Sequence, residues 1–348
     1  MYTLPVSSQH RAHASTYKKR FAQTAWHQGG GILTLVAVES IVITTLEGIL
    51  IHEEVQAVAG CILNVASLGL TLIDLIDRGL VVASLIYQAI LCVDAVKHMH
   101  STTRAYTPII YGLLATLFTC LQVLQDKSRI AKFQDIGCNF DLNLAEDYAV
   151  MAISILFYLL CVACIVCMRH RQQQETPLPS RSGSMLAAAA KLNLFFIVSY
   201  IAQLTPSGLL GYETSGLEVT LVAALACLLF LLGWYALSKP LVLSTLLACG
   251  ALSVGYFGYR LVTFAMPHTA GQDPYQVTRY NLIFTTACIV LLLTVTVGAG
   301  IESVRRILRE HSEDKTSSLA GDDLCLTSGT DNLTKKKTHD SAQEFTCA

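Results

Sequence analysis

Ionisable side chains set inside long apolar runs are the groups in this chain best placed for chemistry. Glu39 and Glu47 fall in the first such run, Asp94 in the second and Arg260 near the end of the seventh. A charge in hydrocarbon is costly, so these residues are expected to face a bundle interior, to pair, or to line an ion path. Glu39 and Glu47 are eight positions apart, which on a helix is about 12 Å of rise and roughly 80° of rotation. Both can therefore face one interior without touching. One reading is a proton or cation path; the other is that each carboxyl is paired by a neighbouring helix. Glu47 and Asp94 lie near the ends of their runs, where water and headgroups reach, and this favours pairing. Arg260 is expected to snorkel to the interface.

Other reactive residue types carry less. Cys161, Cys164 and Cys167 form a C-x-x-C-x-x-C run, but residues three apart progress around a helix and do not converge on a metal. Packing is the expected role, with palmitoylation of Cys167, beside Arg169, as the modification that fits a span end. Cys138 and Cys61 are a weaker candidate disulfide. His98 and His100 flank Met99 in a short loop, with no second histidine cluster to complete a metal site. No H-E-x-x-H, nucleophile elbow or P-loop occurs, so no metal, cofactor or familiar enzyme class is indicated. The net charge of -1 and the absence of a recognition motif give no pointer to nucleic acid.

The elements that must hold these residues are membrane spans. Hydrophobic residues make up 53% of the chain and charged residues 14%, with a mean hydropathy of +0.51. Crossing the bilayer core takes about 20 apolar residues as a helix. Eight stretches meet that need, the fifth with some flank: Gly31–Ile51, Gly79–Val96, Ala105–Gln125, Tyr148–Met168, Leu192–Leu204, Leu217–Leu237, Leu241–Val262 and Asn281–Ile301. Their continuous apolar character excludes a barrel, whose strands alternate. The predicted fold is an all-α polytopic bundle of about eight spans, with the lipid bilayer as its principal partner.

Val55 to Ile76 decides the parity. It is apolar enough for a ninth span, yet Asn64, Ser67, Thr71, Asp74 and Arg78 recur at spacings of three and four, a polar stripe suited to an interfacial helix or a polar seam. Eight spans with cytosolic termini put far more Lys and Arg inside than the five, Arg78 among them, that fall outside. Nine spans would divide them nearly evenly. The positive-inside rule therefore favours eight, with both termini cytosolic.

The organisation that follows is a polar cytosolic N-terminal tail over residues 1–29, a bundle over 30–301 with a cytosolic linker at 169–191, and a mostly disordered cytosolic tail over 302–348. The first span, after its polar leader, is longer than a signal-peptide core and is expected to serve as an uncleaved anchor. Asn332-Leu333-Thr334 is a glycosylation sequon that this topology leaves in the cytosol. Gly250, Ala251, Gly255 and Gly258 are expected to let a neighbouring helix approach the seventh span.

Leu46-Glu47-Gly48, then Tyr87-Gln88, then Asp94-Ala95 before Thr102 and Thr103 form a series that resembles an uncharacterised family of fungal Golgi apparatus membrane proteins. Lys191 to Phe196 and Arg279-Tyr280 extend the likeness, with Asn193 standing where that family has an acidic residue. The resemblance covers roughly residues 30 to 300. It implies a multi-pass Golgi membrane protein and no particular activity. The expected role is non-enzymatic, in trafficking or membrane organisation, with other membrane proteins as further partners. The first alternative is a small transporter or channel using Glu39, Glu47 and Asp94. A seven-span receptor is the second, opposed by Lys18, Lys19 and Arg20 beside the first span.

Overall fold

A computed structural model describes residues 7–59, 65–97, 102–135, 144–173, 183–209, 216–235, 240–266 and 278–331. Every element among them is helical: α1 (Ser7–Ala59), α2 (Val65–Lys97), α3 (Thr102–Asp135), α4 (Leu144–Gln173), α5 (Gly183–Leu209), α6 (Gly216–Tyr235), α7 (Pro240–Ala265) and α8 (Arg279–Asp331). Each of the eight predicted spans falls within one of these helices, except that the last two residues of the sixth lie outside the described residues. Seven helices are long and apolar enough to cross a membrane, and α6 supplies a shorter apolar stretch, Gly216–Leu229.

Apolar side chains lie on both the inside and the outside of this bundle. Phe257, Phe264, Tyr111 and Leu282 are fully buried, whereas Ile41, Ile86, Leu156 and Leu252 are more than half exposed. An apolar exterior of that extent is stable in lipid and a liability in water. The chain is a multi-pass helical membrane protein.

Residues Met1–Gly300 form one unit and Ile301–Ala348 a second. In the first, α1 packs on α2 and α4, α2 on α3 and α5, α3 on α4 and α5, and α6 joins α5 to α7. In the second, α8 is helical as far as Asp331, where composition predicts a disordered tail. Extending an existing helix avoids the nucleation cost, and Glu302 pairs with Arg306 one turn on at 3.2 Å.

The stretch Val55–Ile76 is divided between two described helices. Its first residues end α1, and from Val65 it opens α2. Within its polar stripe, Asp74 and Arg78 are 4% and 3% exposed, turned into the bundle among other charges. Arg78 is accordingly not a loop cation. The small residues of α7 are also used more narrowly than expected. A side chain added at Gly250 would meet Val297 of α8, while Gly255 and Gly258 have no neighbour within 4 Å. Cys61, Cys138, His98, His100 and the Asn332 sequon lie outside the described residues.

Candidate functional site

Arg78, early in α2, gathers carboxylates from four helices. Its Nε donates to Asp74 Oδ2 at 2.8 Å and its Nη1 to Glu47 Oε2 and Asp147 Oδ1, each at 3.2 Å. Glu54 Oε2 is 3.5 Å from Nε, and Asp126 Oδ2 is 4.0 Å from Nη2. All six side chains are at most 7% exposed. The end of α1, the start of α2, the end of α3 and the start of α4 therefore meet at one level. Asp74 reaches Arg78 because four residues make one helical turn. Glu47 and Glu54 are seven apart and share a face of α1 for the same reason.

A second set extends the site to α8. Asn281 Nδ2 donates to Asp77 Oδ2 at 3.1 Å. With its amide oriented to satisfy both ends, Gln125 accepts from the backbone N–H groups of Tyr280 and Asn281 at 3.1 Å and donates to Asn281 Oδ1 at 3.2 Å. These bonds cap first-turn donors of α8 that have no partner within the helix. About one turn further along α3 and α8 stand Gln122 and Thr285; Thr286 follows on α8, and Gln203 is a separate buried residue of α5. Gln122 Oε1, both amide atoms of Gln203 and the two threonine hydroxyls are buried without a hydrogen-bond partner in the protein. Buried polar atoms are nearly always satisfied, so these atoms call for water or a polar occupant.

Chemically, five carboxyl groups gather around one buried guanidinium. Protons or an inorganic cation are the species such a site can exchange. Arg279, two residues before Asn281, brings a second guanidinium to the same end of α8. No grouping of three or more metal-ligating side chains with metal-holding geometry occurs among the described residues.

The structure separates the residues singled out in the sequence. Glu39 and Glu47 are both buried, at 4% and 2% exposure, but only Glu47 joins the cluster. Glu39 accepts from Gln88 Nε2 at 3.1 Å. Asp94 is paired with Lys191 at 2.8 Å. Arg260 does not snorkel freely. It binds Glu218 on α6, which also accepts from Tyr256, and it lies over the Phe264 ring at 5.3 Å.

The motif residues are spread through the packing of α1, α2 and α5. Leu46 packs against the core cluster around Ile43 and Leu50, and Ala95 is buried. Gly48 has no neighbour within 4 Å of its missing side chain. Tyr87 donates to the Lys191 carbonyl at 2.6 Å and stacks on Phe195 at 5.3 Å between centroids. Cys161 is buried in a core cluster with Cys92, whereas Cys167 is exposed. Packing thus holds for Cys161.

Hydropathy alone assigns Glu54, Asp126 and Asp147 to span margins and loops, and so passes over them. The signal that finds them is alternation: antiparallel helices with short connections bring the end of each odd helix and the start of the next even one to the same level. Acids concentrated there, with Arg78 set one turn in, are a site in outline.

Fold and site together define a polytopic membrane protein with a charged centre near one end of its first four helices. Comparison with known protein families, characterised proteins and solved structures returns no match.

Proposed function

We propose that this is an eight-span protein of the Golgi or a related endomembrane, with cytosolic termini, that exchanges protons or a small inorganic cation at the Arg78 site and performs no covalent chemistry. The observation that carries the reading is the meeting of five carboxylates on one buried guanidinium. Such a site is expensive in a low-dielectric interior and has a use where charge is taken up and released. The unpartnered polar atoms of Gln122, Gln203, Thr285 and Thr286 support hydration of the bundle interior. The endomembrane location rests on the resemblance of the Leu46-Glu47-Gly48, Tyr87-Gln88 and Asp94-Ala95 series.

The test is purified full-length protein in liposomes loaded with a pH-sensitive dye, challenged in turn with proton, sodium and potassium gradients. Protein-dependent flux is expected, and Glu47→Gln and Asp147→Asn should each cut it about tenfold or more while leaving the protein monodisperse. Flux no greater than in empty liposomes under every gradient, or flux indifferent to both substitutions, removes the reading.

A second reading, a non-transporting role in membrane organisation, is favoured by the two charges that are individually capped, Glu39 by Gln88 and Asp94 by Lys191. In that case the Arg78 cluster is a structural staple of α1 to α4, and the flux assay gives the empty-liposome result with a folded protein.

A further inference from the structure

A second site, independent of the Arg78 cluster, lies among α5, α6, α7 and α8. Here the helices leave a partly open cleft with about 460 Å³ of empty space including its mouth. Ile197, Ala226, Leu246, Gly250 and Leu293 contribute to its walls, and no lining residue is charged. The small residues open it: Gly250 supplies no side chain, and Ala226 only a methyl group.

Two polar groups line this apolar space, and they differ. The Thr296 hydroxyl donates to the Leu292 carbonyl at 2.7 Å and is satisfied within its own helix. Asn193 is 5% exposed, and its Oδ1 has no hydrogen-bond partner in the protein. An unsatisfied amide oxygen in an apolar cleft calls for a donor from outside the chain.

The chemistry of the walls selects that donor. Water satisfies Asn193 Oδ1 and can bridge to the Thr296 oxygen, but it leaves the leucine-lined walls without apolar contact. A phosphate-bearing lipid headgroup is favoured by cationic partners, and the lining has none. A hydroxyl on an apolar body meets both demands, since it donates to the amide oxygen while the carbon it sits on fills the leucine-lined space. It would also pair with the amide nitrogen if Asn193 turned over.

We propose that this cleft binds an uncharged membrane lipid through a single hydroxyl, held by Asn193, with the lipid's hydrocarbon body leaving through the open mouth. Sterols and diacylglycerols share this chemistry. The proposal does not rest on proton or cation exchange at Arg78, and its test does not read flux.

The experiment uses full-length protein in liposomes with a photoreactive, clickable sterol, followed by peptide mapping of the label. Saturable labelling within α5 to α8 is expected, competed by unlabelled sterol or by diacylglycerol, and whichever competes better identifies the source. The sterol methyl ether, which cannot donate, and phosphatidylcholine should compete poorly. Asn193→Leu should weaken labelling about three- to tenfold, the value of one hydrogen bond. Ala226→Leu fills the cleft without touching the amide and should abolish saturable labelling. Leu291→Ala, on the exposed face of α8, should change nothing. Equal competition by the methyl ether or phosphatidylcholine, labelling scattered over lipid-facing residues, or full labelling of a folded Ala226→Leu protein overturns the proposal.

Discussion

Arg78 and Asp147 stand 69 positions apart and share a hydrogen bond of 3.2 Å in the interior of the bundle. That bond ties the second helix to the fourth at the level where the first and third also contribute acids. Removing the arginine strands the carboxyls against one another. The protein with Arg78→Met is expected to lose on the order of 3–5 kcal/mol, the usual cost of breaking a buried ion pair. Thermal unfolding of the purified protein should show a clearly lowered Tm, and adding Asp147→Asn should recover part of the loss. A Tm unchanged by Arg78→Met would show that the cluster contributes nothing to holding α1 to α4 together.

Adjacent glycines give a sharper test of packing. A side chain at Gly29 would collide with both methyl groups of Val96, while Gly30 has open space around it. Valine is stiff about its first torsion, so it cannot swing aside cheaply. Gly29→Ala should destabilise by about 1–3 kcal/mol through overpacking. Gly30→Ala should be neutral or stabilising by up to about 1 kcal/mol, from helix propensity. Val96→Ala should rescue the first and leave the second unaffected; the same denaturation assay reads all of them.

The Lys191 and Asp94 pair is more open than the Arg78 cluster, with side chains 41% and 26% exposed. Exposure of that degree screens an ion pair. Lys191→Met should therefore cost less than about 1 kcal/mol. Tyr87→Phe should cost about as much or slightly more, since it removes the bond to the Lys191 carbonyl, worth about 1 kcal/mol. If Lys191→Met proves as damaging as Arg78→Met, the pair has a role that its geometry does not disclose.

Topology is open to direct mapping. With cytosolic termini and eight crossings, a glycosylation acceptor inserted within residues 136–143 should gain a glycan in microsomes, and one within 174–182 should not. A glycan at the second position and none at the first would invert the bundle in the membrane. Glycans at neither would argue against the crossing of α3 and α4.

Much of the architecture was legible because hydrocarbon imposes a length rule: the apolar stretches from Gly31 to Ile301 fall inside eight helices. Glu39 and Glu47 were legible as inward-facing for the same reason, being charges in apolar runs. The partners were not. Arg78 reads as a loop cation when charge is counted by segment, because Gly79 begins the uninterrupted apolar run and hydropathy does not register a buried pair one residue before it. Arg260 reads as a snorkelling residue until Glu218, 42 positions earlier, is placed beside it by the packing of α6 on α7. Periodicity within one segment reports which way a side chain faces, and only the arrangement of helices reports what it meets.

The order in which the Arg78 site is completed follows from its position in the chain. The ribosome delivers α1 and α2 before α3 and α4, and this hairpin already holds Glu47, Glu54, Asp74 and Arg78. The arginine therefore has acidic company when it enters the membrane, before Asp126 and Asp147 have been synthesised. Those two arrive with α3 and α4, and their docking on the waiting guanidinium registers the second hairpin against the first. The same contacts that concentrate charge in the finished protein therefore bridge the two hairpins, and they can close only once all four helices are present.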